Sequence, residues 1–141
     1  APSRGGLYKP IRITGNLLYT SGIGPNLVGK EPITGKVGGD LNLAQGEEAA
    51  KNVILNMLSI MQAELKNLNH IKRVIKILAF VASDGGFDRQ PEVINAASQM
   101  LIDIFGENGE HARSAIGTNQ LPGNIPVEIE AIFELEEEIH I

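Results

Sequence analysis

Two charged residues near the end of the chain, Arg113 and Glu128, are the pair best suited to chemistry. A guanidinium is permanently charged and planar, and its fork of N–H donors meets a carboxylate two bonds at a time, so Arg113 suits the carboxylate of a small acid. A glutamate beside a bound water can orient it or take its proton, and that is the role open to Glu128. Together they describe a site that holds an acid, aims a water and accepts charge without a cofactor. The plainer reading is that Glu128, Glu130 and Glu134 form a solvated row on a strand, with Arg113 as a surface partner.

The elements that must carry these side chains follow from the local pattern. Val127, Ile129, Ala131, Phe133 and Leu135 point one way and Glu128, Glu130, Ile132 and Glu134 the other, so this is a strand with one buried face. Ala112 to Thr118 is a shorter β-type run, and Leu121-Pro122-Gly123-Asn124 between the two is a turn in which proline presets φ and glycine tolerates φ > 0. The spacing predicts a hairpin-like unit with Arg113 on one strand and Glu128 on the next.

Upstream, Tyr8 to Thr14 and Leu17 to Ser21 read as a strand pair around Gly15-Asn16. Gly22 to Asp40 is rich in glycine and proline and reads as a long loop suited to a pocket mouth or a subunit contact. Within it, Gly24 to Glu31 resembles a phosphate-binding loop, but Glu31 stands where a Ser or Thr hydroxyl is required, so nucleotide binding is rejected. Leu43 to Leu65 predicts the longest helix, with Ala50, Val53, Ile54, Met57, Leu58, Met61 and Leu65 on one face and Asp40 or Asn42 at its cap.

Ile71 to Val81 is a strand apolar on both faces, with Ile75, Ile77, Ala79 and Val81 on one and Val74, Leu78 and Phe80 on the other. Such a strand must be covered twice, and two helices cover only one face, so the second is expected to pack against another copy. Pro91 opens a second helix ending at Phe105, with Val93 or Ile94, Ala97, Leu101, Ile104 and Phe105 as its core stripe and Gly106 as its stop.

Composition bounds the rest. The 141 residues suit one domain spanning 1–141. A net charge of −5 argues against general nucleic-acid binding, which needs a basic face. Without cysteine there is no disulfide, thiolate nucleophile or Cys-type zinc site, and His70, His111 and His140 lack ligand spacing, so no metal is expected. Ser21 and Ser114 lack a nucleophile elbow. No apolar run reaches membrane-spanning length and no signal core leads the chain, so a cytoplasmic protein is the default expectation.

Ala112-Arg113-Ser114-Ala115, then Leu121-Pro122 and Val127-Glu128-Ile129-Glu130-Ala131, resemble the C-terminal signature of the RidA/YjgF family, the reactive-intermediate imine deaminases. Gly15 to Gly22, Gln45, Asn52 and Asn95 match further parts of the family pattern in the same order. The resemblance implies a chorismate-mutase-like α+β fold, a mixed sheet packed on two helices, and a barrel-like homotrimer with sites at subunit interfaces. It implies hydrolysis of 2-imino acids to 2-keto acids and ammonia with no cofactor. Arg113 would hold the carboxylate and Glu128 assist the water, with Tyr8 and Asn95 lining the pocket and the backbone at Ser21, Gly22 and Ala115 donating hydrogen bonds. One departure is Ser98, where better-known members carry an aromatic three residues after the asparagine. Relatives labelled endoribonucleases or translation inhibitors supply the alternative reading, and a non-catalytic binder of small carboxylates is another.

Overall fold

The computed structural model describes residues 6–139. Five strands form one sheet in the order β1-β2-β5-β3-β4: β1 is Ile11–Thr14, β2 Leu17–Thr20, β3 Ile71–Ala82, β4 Ala112–Thr118 and β5 Val127–Leu135. All neighbours are antiparallel except β3 and β4, which are parallel, so the sheet is mixed. Helix α1 (Leu43–Leu65) joins β2 to β3, and α2 (Gln90–Phe105) makes the crossover that a parallel β3–β4 pair requires.

The helices form where the pattern places them. Asn42 accepts the Gln45 backbone N–H while the Gln45 side chain accepts the Asn42 N–H, a reciprocal cap that settles the choice between Asp40 and Asn42. Pro91 lies in the first turn of α2, and Gly106, at φ 64°, stops it. Val53, Ile54, Met57 and Met61 of α1 and Val93, Ile94, Ala97 and Leu101 of α2 pack against Leu18, Ile77, Ile129 and Phe133 of the sheet, all fully buried. The predicted stripe is corrected at one position, because Ile104 is 49% exposed. Tyr8 lies outside the first strand, which begins at Ile11.

Strand β3 differs from simple alternation. Irregularities in its pairing with β5, between Ile71 and Arg73 and between Val74 and Lys76, shift the phase of the strand. Val74 therefore joins Ile77, Ala79 and Val81 on the helix side, whereas Ile75, expected there, is 36% exposed. Strict alternation misplaces both.

The larger correction concerns the hairpin-like unit. The last two strands do not pair, because β3 lies between them. On the helix-covered side, the rows across β5, β3 and β4 read Ala131–Ile77–Arg113 and Ile129–Ala79–Ala115. On the open side they read Glu130–Leu78–Ser114 and Glu128–Phe80–Ile116. Arg113 and Glu128 thus sit on opposite faces, two strand spacings apart, about 10 Å sideways before the offset along the strands is counted.

Candidate functional site

The candidate residues fall into two groups. The first is on the β4 edge, against α2. Arg113 lies in the helix-side row, and its Nη1 donates to Asn95 Oδ1 at 2.8 Å and to Ser98 Oγ at 3.1 Å. Asn95 and Ser98 are three residues apart on α2, so both face the strand. Both hydrogens of Nη1 are then used, while the Nε and Nη2 hydrogens have no partner among the described residues. Ser98 Oγ also lies 2.9 Å from His111 Nε2, and His111 Nδ1 lies 2.6 Å from the Gly109 carbonyl oxygen. Ala115 is partly buried two residues along β4 from Arg113 and packs on the core.

The second group gathers where β2 runs into the long loop. The Ile23–Ile129 bridge lays the loop beside β5, which puts Gly22 against Glu128. A Cβ on Gly22 would lie 2.5 Å from Glu128 Oε2, so the carboxylate occupies the space that only glycine leaves. Burial raises the pKa of Glu128 above the ordinary glutamate value, and the neighbouring charge of Glu130 adds to this. Neither a cation nor a hydrogen-bond donor among the described residues offsets that shift. Ser21 is committed through its side chain, donating to the Lys9 carbonyl at 2.6 Å, and its backbone N–H bonds Pro10. The Gly22 N–H has no partner among the described residues.

Beside this group, a cavity of about 670 Å³ opens between the loop and the C-terminal half of α1, lined by Tyr8, Ser21, Gly22, Asn56, Ile60 and Ile125 among others. Asn56 shapes the loop wall, its amide donating to the carbonyls of Gly24 and Asn26 at 3.0 Å each. Tyr8, Ser21 and Gly22 line this one cavity, and Glu128 abuts them through Gly22. Arg113, Asn95 and Ala115 belong to the other group.

A family model described as "YjgF/chorismate mutase-like, putative endoribonuclease" matches residues 2–134. The chain belongs to the YjgF/RidA family. A solved protein of unknown function from Agrobacterium tumefaciens is 45% identical, with a TM-score of 0.88 over 92% of this chain and 83% of its own. Protein TCP17 of Trypanosoma cruzi is 42% identical over 104 residues, and the match takes in 73% of this chain but 65% of that protein. The 2-iminobutanoate/2-iminopropanoate deaminase of Dermatophagoides farinae is 28% identical over 137 residues, 96% of this chain and 91% of its own length. The α+β, chorismate-mutase-like architecture with five strands and two helices is that of this YjgF/RidA family.

Sequence reasoning missed Ser98 and His111. In the sequence Ser98 stands out only as the loss of an aromatic, and His111 only as a histidine without ligand spacing. Signals for both are present: Ser98 repeats Asn95 at the helical interval, and His111 precedes Arg113 by two, the interval that keeps side chains on one face of a strand.

Proposed function

We propose that this chain hydrolyses 2-imino acids to 2-keto acids and ammonia, at a site built from the two groups when they come from neighbouring copies. The observation that carries this reading is Arg113. Its Nη1 is held by Asn95 and Ser98, and its remaining donors form an edge suited to a carboxylate. The substrate's α-carboxylate binds that edge, which places the imine carbon toward the neighbour's Glu128.

Water adds its oxygen to the imine carbon as Glu128 takes a proton from it, and Glu128 then gives that proton to the nitrogen, which becomes an amine. The proton on the new hydroxyl then passes to nitrogen, the C–N bond breaks, ammonia leaves and the carbonyl forms. A glutamate whose proton affinity is raised by burial takes up that proton more readily than an exposed one and can return it. The Gly22 N–H can donate to the substrate beside it.

The two-copy arrangement is supported by the open face. Its rows include Tyr19, Ile75 and Ile116, which are 41%, 36% and 46% exposed, together with the partly covered Leu78, Phe80 and Ile132. Another copy laid on this face would bury them, and a homotrimer closes such head-to-tail contacts into a ring.

Ammonia release from freshly generated 2-iminobutanoate and 2-iminopropanoate tests the reading. Arg113→Ala is expected to lower kcat/KM by roughly 100-fold or more, the scale of losing one partner of a charged pair, without altering assembly. Undiminished turnover would overturn the assignment. Cleavage of single-stranded RNA that depends on Arg113 would favour the endoribonuclease reading.

A further inference from the structure

The group behind Arg113 forms a chain of hydrogen bonds with one direction. A carbonyl oxygen only accepts, so the 2.6 Å contact of His111 Nδ1 with the Gly109 carbonyl puts a hydrogen on Nδ1. In the neutral imidazole Nε2 is then an acceptor, and it takes the Ser98 hydroxyl hydrogen across 2.9 Å. The lone pairs of Ser98 are left for Arg113 Nη1 at 3.1 Å. The opposite tautomer would set two acceptors against each other at the Gly109 carbonyl.

The origin of the chain is rigidly placed. Gly109 is buried in a short turn, Gly106–Gly109, after α2, and a Cβ there would collide with the Leu101 carbonyl, so only glycine brings this backbone so close to the helix. The carbonyl that selects the tautomer is thereby tied to α2, the same helix that supplies Asn95 and Ser98.

We infer that His111 and Ser98 are positioning residues for Arg113: the histidine tautomer locks the serine as an acceptor, and the serine turns the guanidinium so that its Nε/Nη2 edge, not its Nη1 end, receives the substrate carboxylate. This rests on the reading of Arg113 as the carboxylate holder and specifies how the acid must approach it. A phenylalanine at position 98 would offer no such acceptor, so the serine here adds a hydrogen-bond relay where the family pattern has an aromatic.

Two measurements test it. Nitrogen-15 NMR of the imidazoles in the assembled wild-type protein at neutral pH, with the His111 signals assigned by their loss in His111→Asn, is expected to show Nδ1 protonated and Nε2 accepting. An Nε2–H tautomer or an imidazolium overturns the inference, and this readout needs no substrate. The second measurement compares His111→Gln, whose amide oxygen reaches the place of Nε2, with His111→Asn, which reaches only Gly109. KM for 2-iminobutanoate and Kd for 2-oxobutanoate are expected to rise roughly threefold to tenfold in His111→Asn and Ser98→Ala, with kcat little changed, and to stay near wild type in His111→Gln. Equal constants in the Asn and Gln variants, or a fall in melting temperature with no change in KM and Kd, overturn it. If the wild type neither turns over imino acids nor binds the keto acid, the proposed function fails, and the tautomer still decides this inference.

Discussion

The two groups of candidate residues are built by different means. Arg113 is held from outside its strand, by two acceptors on α2 and a histidine behind them. Glu128 is held by exclusion, in the gap left by a glycine, with burial working against its charge. The cation is pre-oriented by hydrogen bonds and the anion is left under-compensated. A group with donors to spare and a group short of them are complementary in charge, and the proposed function joins them across an interface between copies.

Mixing experiments strain that comparison most. Arg113→Ala and Glu128→Ala are each expected to be inactive alone, yet a random equimolar mixture of the two should regain roughly a quarter of wild-type turnover, because about one interface in four then joins two intact halves. Absence of any recovery in verified mixed assemblies would place both residues in one chain's site or in none. Next in size is Gly22→Ala, where the added methyl displaces the Glu128 carboxylate. We expect kcat to fall roughly tenfold with KM far less affected, since a misplaced base spoils the chemical step more than binding. A change confined to KM would mean that Gly22 serves the carboxylate and not the water.

Asn95→Ala removes one of the two acceptors on Nη1. KM is expected to rise roughly threefold to tenfold with kcat held, the cost of one hydrogen bond, as steady-state kinetics on 2-iminobutanoate would show. The smallest effect is on stability. Burial favours the protonated form of Glu128, so its folded pKa lies above its unfolded one. Below the unfolded value both states hold the proton and Glu128→Gln changes nothing. As pH rises through the unfolded and then the folded value, the native carboxylate increasingly costs stability and the substitution gains. Melting curves in an Arg113→Ala background should show a gain of about 1–2 °C at pH 8 that vanishes near pH 4. With Arg113 intact the gain should shrink, because the neighbour's guanidinium offsets the buried charge, and identical gains in both backgrounds would argue against convergence.

What could be read from the residues was whatever is local. The bounds of α1 were legible because Asn42 and Gln45 cap it and the apolar spacing is helical throughout. The strand character of β5 was legible because its alternation is nearly perfect. The partner of each strand was not. Leu121 to Asn124 does turn, with Gly123 at φ 69°, but a turn states only that the chain reverses, and the two-sided apolar β3 takes the place between β4 and β5. Val74 and Ile75 were exchanged because a bulge leaves no mark in an apolar run. Within the candidate site, the residue types of Arg113 and Glu128 mark them in the sequence, while their opposed faces follow only from the pairing of β5, β3 and β4. The contact of Ser98 with His111 joins a helix to the start of a strand, and no periodicity reports it.

The parallel return of β4 beside β3 ties the orientation of Arg113 to a count of residues. Between the end of α2 and the start of β4 the chain has only Gly106 to His111 in which to reverse, and Gly109 is wedged against the helix. A residue lost or gained there that passed into the register of β4 would invert its parity, sending Ser114 toward Asn95 and the guanidinium to the far surface of the sheet. The length of one short connection is therefore as much a determinant of chemistry as the arginine it delivers.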